Sequence, residues 1–394
     1  MNLRIIPIFV LAVSIINSAY AQRACAISES QTQNSVVSET GVAVPVPDVI
    51  IIPVVVHVVY NTGDQNISND QVRSQINALN KDFRKKNEDA SYIPVAFKDV
   101  AADSRIEFRL ATVDPSGLTT NGIIRKQTNV RGFGTDDQIK SSVTGGADGW
   151  DRGQYLNIWV GNLSNGVVGY ASLPGCAAEK DGVVISYTAF GTTGNLKAPY
   201  TKGRTAVHEI GHWLGLRHIW GDADCGDDRI EDTPPQQGPT RGCPSGVVAT
   251  CSSGAAGNMY MNFMDFTNDE CTSMFTAGQV TKMRELFSAE GARTALLYSN
   301  KAVGAPADEL LAGDNDIIKS IALYPNPAAD ILNISLGGDA STNGNLNIYN
   351  QSGQLVKSMQ LTKSTMQVDI RSLKGGMYYV KAGTGAGMKF MKAR

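Results

Sequence analysis

Eleven residues constrain this chain more than any others: His208-Glu209-Ile210-Gly211-His212-Trp213-Leu214-Gly215-Leu216-Arg217-His218. They hold three of its four histidines. On a helix, residues four apart share a face, so His208 and His212 can aim their imidazoles at one metal ion. Glu209 lies between them, about 100° round the helix, where its carboxylate can reach a water on that metal. Gly215 lets the chain leave the helix through backbone angles other residues avoid. The turn then returns His218 as a third ligand. Three protein ligands leave the fourth position of a tetrahedral zinc open for water, the catalytic arrangement and not the closed structural one.

A bare H-E-x-x-H also describes an amphipathic helix with surface histidines. The extended H-E-x-x-H-x-x-G-x-x-H is much harder to reach by accident, and the intact Glu209 speaks against a folded but inactive site. A methionine-containing turn follows downstream, Asn262-Phe263-Met264-Asp265-Phe266.

At 394 residues the chain is long enough for two domains and a large core. Charged residues make up 18% and the formal net charge is −2, with no basic cluster, so no nucleic-acid partner is expected. The N-terminus reads as a secretory signal over residues 1–21. Arg4 supplies the positive end, Ile5 to Ile16 the apolar run, and Ala19-Tyr20-Ala21 the small-x-small cleavage site. The run is too short for a membrane anchor, which needs about 20 residues. Export permits disulfides. Of six cysteines, Cys225, Cys243, Cys251 and Cys271 fall just after the histidine motif. No C-x-x-C pair supports a second metal site, so two bridges are expected, with three connectivities open.

Residues 22–48 are rich in Ser, Gln, Thr and Val without helical period, and read as a flexible pro-segment. Its Cys25 is either a thiolate that blocks the zinc, a plain structural or free cysteine, or the partner of Cys176. The catalytic region is expected over 49–299. It opens with Val49 to Tyr60, a nearly continuous β-branched run suited to a buried strand. His57 inside it reads as a satisfied core residue. Ser68 with Gln71 predicts a capping box, and Val72, Ile76, Leu79 and Phe83 repeat at helical spacing. Further strands are predicted at 105–113, 155–161, 167–173 and 182–187, before an active-site helix near 203–215. Residues 221–258, rich in Gly, Asp, Pro and Cys, predict irregular, stapled chain. Thr276 and Gln279 cap a last helix with Val280, Met283, Leu286 and Phe287 inward. A linker spans 300–317. Beyond it, 318–394 reads as a small β-sandwich, with strands at 330–335, 345–350, 354–360, 366–370 and 377–382 and a turn at Asn350 to Gly353.

With these residues in place, the chain resembles the metzincins, and within them the pappalysin-type family, over roughly residues 50–290. The resemblance implies an α/β (α+β) zincin catalytic domain: a twisted mixed sheet with a backing and an active-site helix above a cleft, and an irregular lower half. It implies that His208, His212 and His218 bind Zn2+, that Glu209 is the general base, and that Met264 forms a hydrophobic floor under the rings without ligating. It implies bridges Cys225–Cys251 and Cys243–Cys271. The segment Gly169-Tyr-Ala-Ser-Leu-Pro-Gly is similar to the family's edge strand, along which a substrate lies extended. Asp269, five residues past Met264, matches an acid that favours Arg or Lys after the scissile bond. The loop Asp227 to Thr233 resembles a calcium-binding stretch, with Asp228 and Thr233 as contributors of oxygen to Ca2+. One departure stands out. The family usually has a tyrosine two residues after the methionine, as a donor to the intermediate, and here that residue is Phe266. The last 75 or so residues resemble a type A sorting domain of the type IX secretion system, through Tyr324-Pro-Asn-Pro, Tyr349-Asn-Gln-Ser-Gly, Leu373-Lys-Gly-Gly-Met-Tyr-Tyr and the end Lys389-Phe-Met-Lys-Ala-Arg. That implies passage through outer-membrane secretion machinery.

The implied function is a secreted zinc endopeptidase, made as a latent precursor, that hydrolyses protein or peptide substrates. Two other readings stand beside it. One is a weak or inactive zinc-stabilised surface or binding protein, for which Phe266 argues. The other is a small-amide hydrolase, against which a long edge strand argues.

Overall fold

The computed structural model describes residues 27–28, 46–251, 253–302, 320–337, 345–350, 355–360, 365–382 and 388–393. The signal segment, Cys25, most of the 300–317 linker and the turn after Asn350 lie outside them. The N-terminal strands are β1 Ile27–Ser28, β2 Ile50–Tyr60, β3 Ile106–Leu110, β4 Ile123–Gln127, β5 Leu156–Gly161, β6 Gly169–Ser172 and β7 Val183–Ser186. The helices are α1 Asn69–Phe83, α2 Val95–Lys98, α3 Arg204–Trp213 and α4 Ala277–Glu285.

The β-branched run becomes the centre of the sheet, as its lack of alternation requires. β2 pairs in parallel with β3 along its first half, with β4 along its second and with β5 on its other side. The path continues to β7, β6 and β1, and only β6 and β7 run antiparallel. Both faces of β2 are covered. Ile52, Val54, Val56 and Val58 enter the main core, while Val55 and Val59 pack into clusters on the opposite face. β4 has no sequence counterpart in the reading above. Of Ile123-Ile-Arg-Lys-Gln only the first side chain is buried, so no apolar pattern marks it.

His57 is a core residue. It is buried, stacks on Trp159 at 5.3 Å and hydrogen-bonds Asn157 at 3.0 Å through Nε2. Burial lowers its pKa to about 4, against the opposing pull of that hydrogen bond and of Asp148, which keeps the ring neutral.

α1 buries Val72, Ile76, Leu79 and Phe83 against the sheet, each worth roughly 1.5–3 kcal/mol relative to exposure. Its cap is half of what Ser68 and Gln71 predict. The Gln71 amide N–H donates to Ser68 Oγ at 3.0 Å, but the Gln71 side chain turns away and donates to the carbonyls of Tyr187 and Phe190. Two carbonyls of a distant loop, that of Phe190 buried and that of Tyr187 half-buried, outbid one exposed local donor. At α4 the predicted box is complete, with Thr276 and Gln279 serving each other's backbone N–H. Between α3 and α4 the described residues hold no helix or strand, only turns and the bridges Cys225–Cys251 and Cys243–Cys271.

Of the segment 22–48 the structure describes only residues 27–28 and 46–48. Ile27 and Ser28 pair in parallel with Ala171 and Ser172 of β6, and Arg284 donates to the Pro47 carbonyl at 2.8 Å. Cys176 is an unbridged, buried thiol, pushed up to about 11 by burial and Asp181. Cys25, the other thiol of the suggested Cys25–Cys176 pair, lies outside the described residues.

The C-terminal strands are β8 Ser320–Tyr324, β9 Ile331–Gly337, β10 Asn345–Asn350, β11 Leu355–Gln360, β12 Thr365–Asp369, β13 Gly376–Ala382 and β14 Met388–Lys392. They form two antiparallel sheets, β11-β10-β13-β14 and β12-β9-β8. Leu332, Ile334 and Val368 of one meet Leu346, Ile348, Val380 and Phe390 of the other in a separate core. The basic end of the sorting-domain resemblance forms the edge strand β14. Its Phe390 and Lys392 point inward while Lys389 and Met391 face out.

Candidate active site

α3 is buried along its whole length. Its start has no side-chain cap of its own, because Gly203 adopts φ 74° and a Cβ there would lie 2.8 Å from Gln75 Nε2. Asp269 does that work from across the fold. Its Oδ2 accepts the backbone N–H of Lys202 at 2.9 Å and of Arg204 at 3.2 Å. A carboxylate is favoured there by the helix dipole. The Arg204 guanidinium ties the same turn to Asp82 and Asp89 of the α1 side and to the Asp269 carbonyl. Asp82 is pushed up to about 6 by burial, and Arg204 pulls it back only in part.

The helix ends as Gly215 predicts. Gly215, at φ 84°, donates to the His212 carbonyl at 2.8 Å, and Leu216 donates to that of Gly211 at 3.0 Å. This Schellman turn reverses the chain and delivers His218.

His208, His212 and His218 converge. His212 Nε2 is 3.1 Å from His208 Nε2 and 3.1 Å from His218 Nε2. Each ring is held from behind. Nδ1 of His208 meets the Phe263 carbonyl at 2.7 Å, that of His212 the Leu216 carbonyl at 2.9 Å, and that of His218 the Asp222 carboxylate. Carbonyl and carboxylate oxygens only accept, so the protons sit on Nδ1. Three Nε2 lone pairs therefore face one another in a buried space, where a shared cation relieves their repulsion. This donor set fits zinc, and the outer oxygens are the partners that orient ligating imidazoles. Among the described residues, this is the one group of three or more such side chains able to hold a metal.

Glu209 is buried and leans toward β6. A Cβ on Gly169 would lie 2.9 Å from both Cγ and Oε1 of Glu209 and 3.0 Å from Thr205 Cγ2. The glycine thus sets how close the carboxylate comes to the edge strand. Gly169→Ala should push the carboxylate aside and lower kcat at least tenfold with zinc content unchanged, in steady-state assays beside metal analysis. An unaltered kcat would show the contact to be incidental.

Met264 is fully buried beneath the helix, and a Cβ on Gly211 would strike its sulfur at 2.4 Å. Its turn is fixed by Asn262, whose Oδ1 accepts the Met264 N–H at 2.9 Å while its amide pairs with Gln279. Phe266 stands against the imidazoles, with ring centroids 5.5 Å from His208 and 4.8 Å from His218. In the acidic loop, Thr233 Oγ1 donates to both oxygens of Asp228, at 2.8 and 2.9 Å. Burial, with Asp227 and Asp232 nearby, pushes Asp228 up to about 6. Asp232 itself is spent on the start of α4, accepting from Thr276 and Gly278. Sequence reasoning placed Gly169 on the edge strand and Gly211 in the motif but not their contacts with Glu209 and Met264, and it had no signal for Asp222 or Arg204.

The family described as Pregnancy-associated plasma protein-A matches residues 135–288, and the Secretion system C-terminal sorting domain matches residues 322–393. Mature mirolysin of Tannerella forsythia, solved with a cleaved peptide, is 49% identical. The likeness covers 64% of this chain and 96% of that one, with a TM-score of 0.62. An extracellular metalloprotease of Arthroderma benhamiae is 30% identical over 244 residues, which are 59% of this chain and 70% of that protein. Extracellular metalloprotease 1 of Coccidioides posadasii is 38% identical over 140 residues, 34% of this chain, and the chain spans 49% of that protein's length. Histidine triad, sheet and helices, sorting module and these likenesses agree, and the chain belongs to the pappalysin family of metzincin zinc metalloendopeptidases, with a C-terminal sorting domain of the type IX secretion system.

Proposed function

We propose that this chain is exported as a latent precursor and matures into an endopeptidase in which Glu209 is the general base. The observation that carries this reading is the meeting of three Nε2 atoms beside a buried carboxylate that rests on an edge strand. His208, His212 and His218 would hold zinc, which when bound polarises the scissile carbonyl and makes water nucleophilic near neutral pH. Glu209 takes the proton of the attacking water and returns it to the leaving amine. β6 offers its backbone to an extended substrate. Ile27 and Ser28 lie along that edge, which supports the pro-segment as what the substrate must replace. Cys25, two residues before β1, is our candidate for the thiolate that blocks the metal. In this processing map residues 1–21 are a signal, 22–48 the pro-segment, 49–299 the peptidase, 300–317 a linker and 318–394 the removable sorting module. N-terminal sequencing of the secreted species checks it.

Calcium at Asp228 and Thr233 is an extension of the same reading. A buried carboxylate beside a buried hydroxyl, flanked by acids, is the oxygen-rich surrounding a hard cation prefers. Selective chelators separate the two metals. Removing zinc should abolish protein cleavage, and adding zinc back should restore it. Removing calcium should lower the melting temperature first. Cleavage that survives complete zinc removal ends the peptidase reading.

For selectivity we propose Arg or Lys after the scissile bond, read by Asp269. The acid is buried one turn before His208, at the start of α3. Cleavage-site mapping on a peptide library should show the bias, and Asp269→Asn should weaken it about tenfold or more, the worth of one charge-assisted pair. A flat profile in the wild type removes this role and leaves Asp269 as the helix anchor.

A further inference from the structure

Phe266 closes one side of the imidazole cluster, and a phenyl edge donates no hydrogen bond. On that ring lies a cation. The Arg241 guanidinium carbon is 5.6 Å from the Phe266 centroid. The backbone around Arg241 is tied to the same turn from both sides. Thr240 N–H donates to Asp265 Oδ1 at 2.8 Å, Asn268 N–H donates to the Gly242 carbonyl at 3.0 Å, and Cys243 is bridged to Cys271. Asp265 and Asn268 flank Phe266 itself. The residue is exposed, and among the described residues no carboxylate pairs with it. An arginine fixed at its root, laid over an aromatic ring that abuts two metal-ligand histidines and left without a counter-charge, is arranged to meet negative charge that arrives with a substrate.

We propose that Arg241 is a further catalytic residue, donating N–H bonds to the scissile carbonyl oxygen as that oxygen becomes negative. The proposal rests on the peptidase reading. In the step, the water oxygen bonds the carbonyl carbon and the carbonyl π pair moves onto oxygen, while the water's proton passes to Glu209. Arg241 stays protonated and lends donors to the new charge. On collapse the pair returns, the C–N bond breaks, and the amine leaves with the proton Glu209 held. A guanidinium suits this place, since it is always charged and presents a planar fork of donors.

The test uses the mature enzyme and a fluorogenic peptide with no acidic residue. Arg241→Ala should lower kcat about a hundredfold, the usual cost of one oxyanion donor, with KM within about threefold and melting temperature and zinc content unchanged. Added methylguanidine should restore part of kcat saturably, which no merely structural role predicts. Arg241→Lys should fall between wild type and Ala. A kcat within twofold of wild type overturns the proposal, as does a defect seen only in KM and only for peptides with Asp or Glu near the cleavage point. A wild-type enzyme that does not cleave the peptide sinks the peptidase reading and this one with it, whereas cleavage lost in Glu209→Gln but kept in Arg241→Ala sinks this one alone.

Discussion

Glu209→Gln should leave a folded protein with full zinc content that hydrolyses peptides about 10²–10⁴-fold more slowly, the range for loss of a positioned general base. The substitution is nearly isosteric, so the packing against Gly169 and Thr205 survives. The amide cannot take a proton from water, and that single change removes the chemistry. His208 and His212, on the same buried helix, keep their outer hydrogen bonds to the Phe263 and Leu216 carbonyls. Stopped assays over long incubations, with metal analysis of the same sample, read both halves of the expectation. Activity within tenfold of wild type would mean that another group accepts the proton.

Arg293→Met should cost about 3–5 kcal/mol, because it strands a buried carboxylate. Asp181 is almost fully buried and accepts from Arg293 Nη1 at 2.6 Å and from Trp213 Nε1 at 2.6 Å. The guanidinium also lies 4.0 Å above the Trp213 ring and donates to the Trp213 carbonyl at 3.3 Å. Trp213 is the last residue of α3, so the pair holds the C-terminal end of the active-site helix as Asp269 and Arg204 hold the other. Arg152, a third exposed and 3.6 Å away, is placed to soften the loss. Urea unfolding of the single variants and of the Asp181→Asn/Arg293→Met pair measures it. The double variant should recover part of the stability, since no charge is then left alone. A single-variant cost below about 1 kcal/mol would assign the pair to the weakly contributing class of surface bridges.

What could be read from the sequence follows how local the determinants are. The triad, its glutamate and Gly215 lie in one short segment whose spacing implies their geometry, the place of Met264 came from the family resemblance, and the structure brings them together. β2 and α1 were legible because a β-branched run and a helical repeat each need only their own residues. β4 was not. Its Arg125, Lys126 and Gln127 face solvent, and only pairing with β2 makes it a strand. Gln71 looked like a cap because its alternative partners lie more than a hundred residues on. Gly169 and Gly211 carry no sign of the side chains that press on them. Asp269 was singled out only through the family resemblance, and its grip on the start of α3 is a tertiary fact.

The three ligands are unequally mounted. Two ride on a helix clamped at both ends, while the third hangs from a loop whose outer hold, Asp222, is 46% exposed. His218 nonetheless stands beside the other two rings, buried and stacked on Trp220 at 4.3 Å, so its place depends on the turns of that loop and not on a clamped helix. Starved of zinc, the molecule should loosen there, ahead of its sheet, and present that stretch to other proteases.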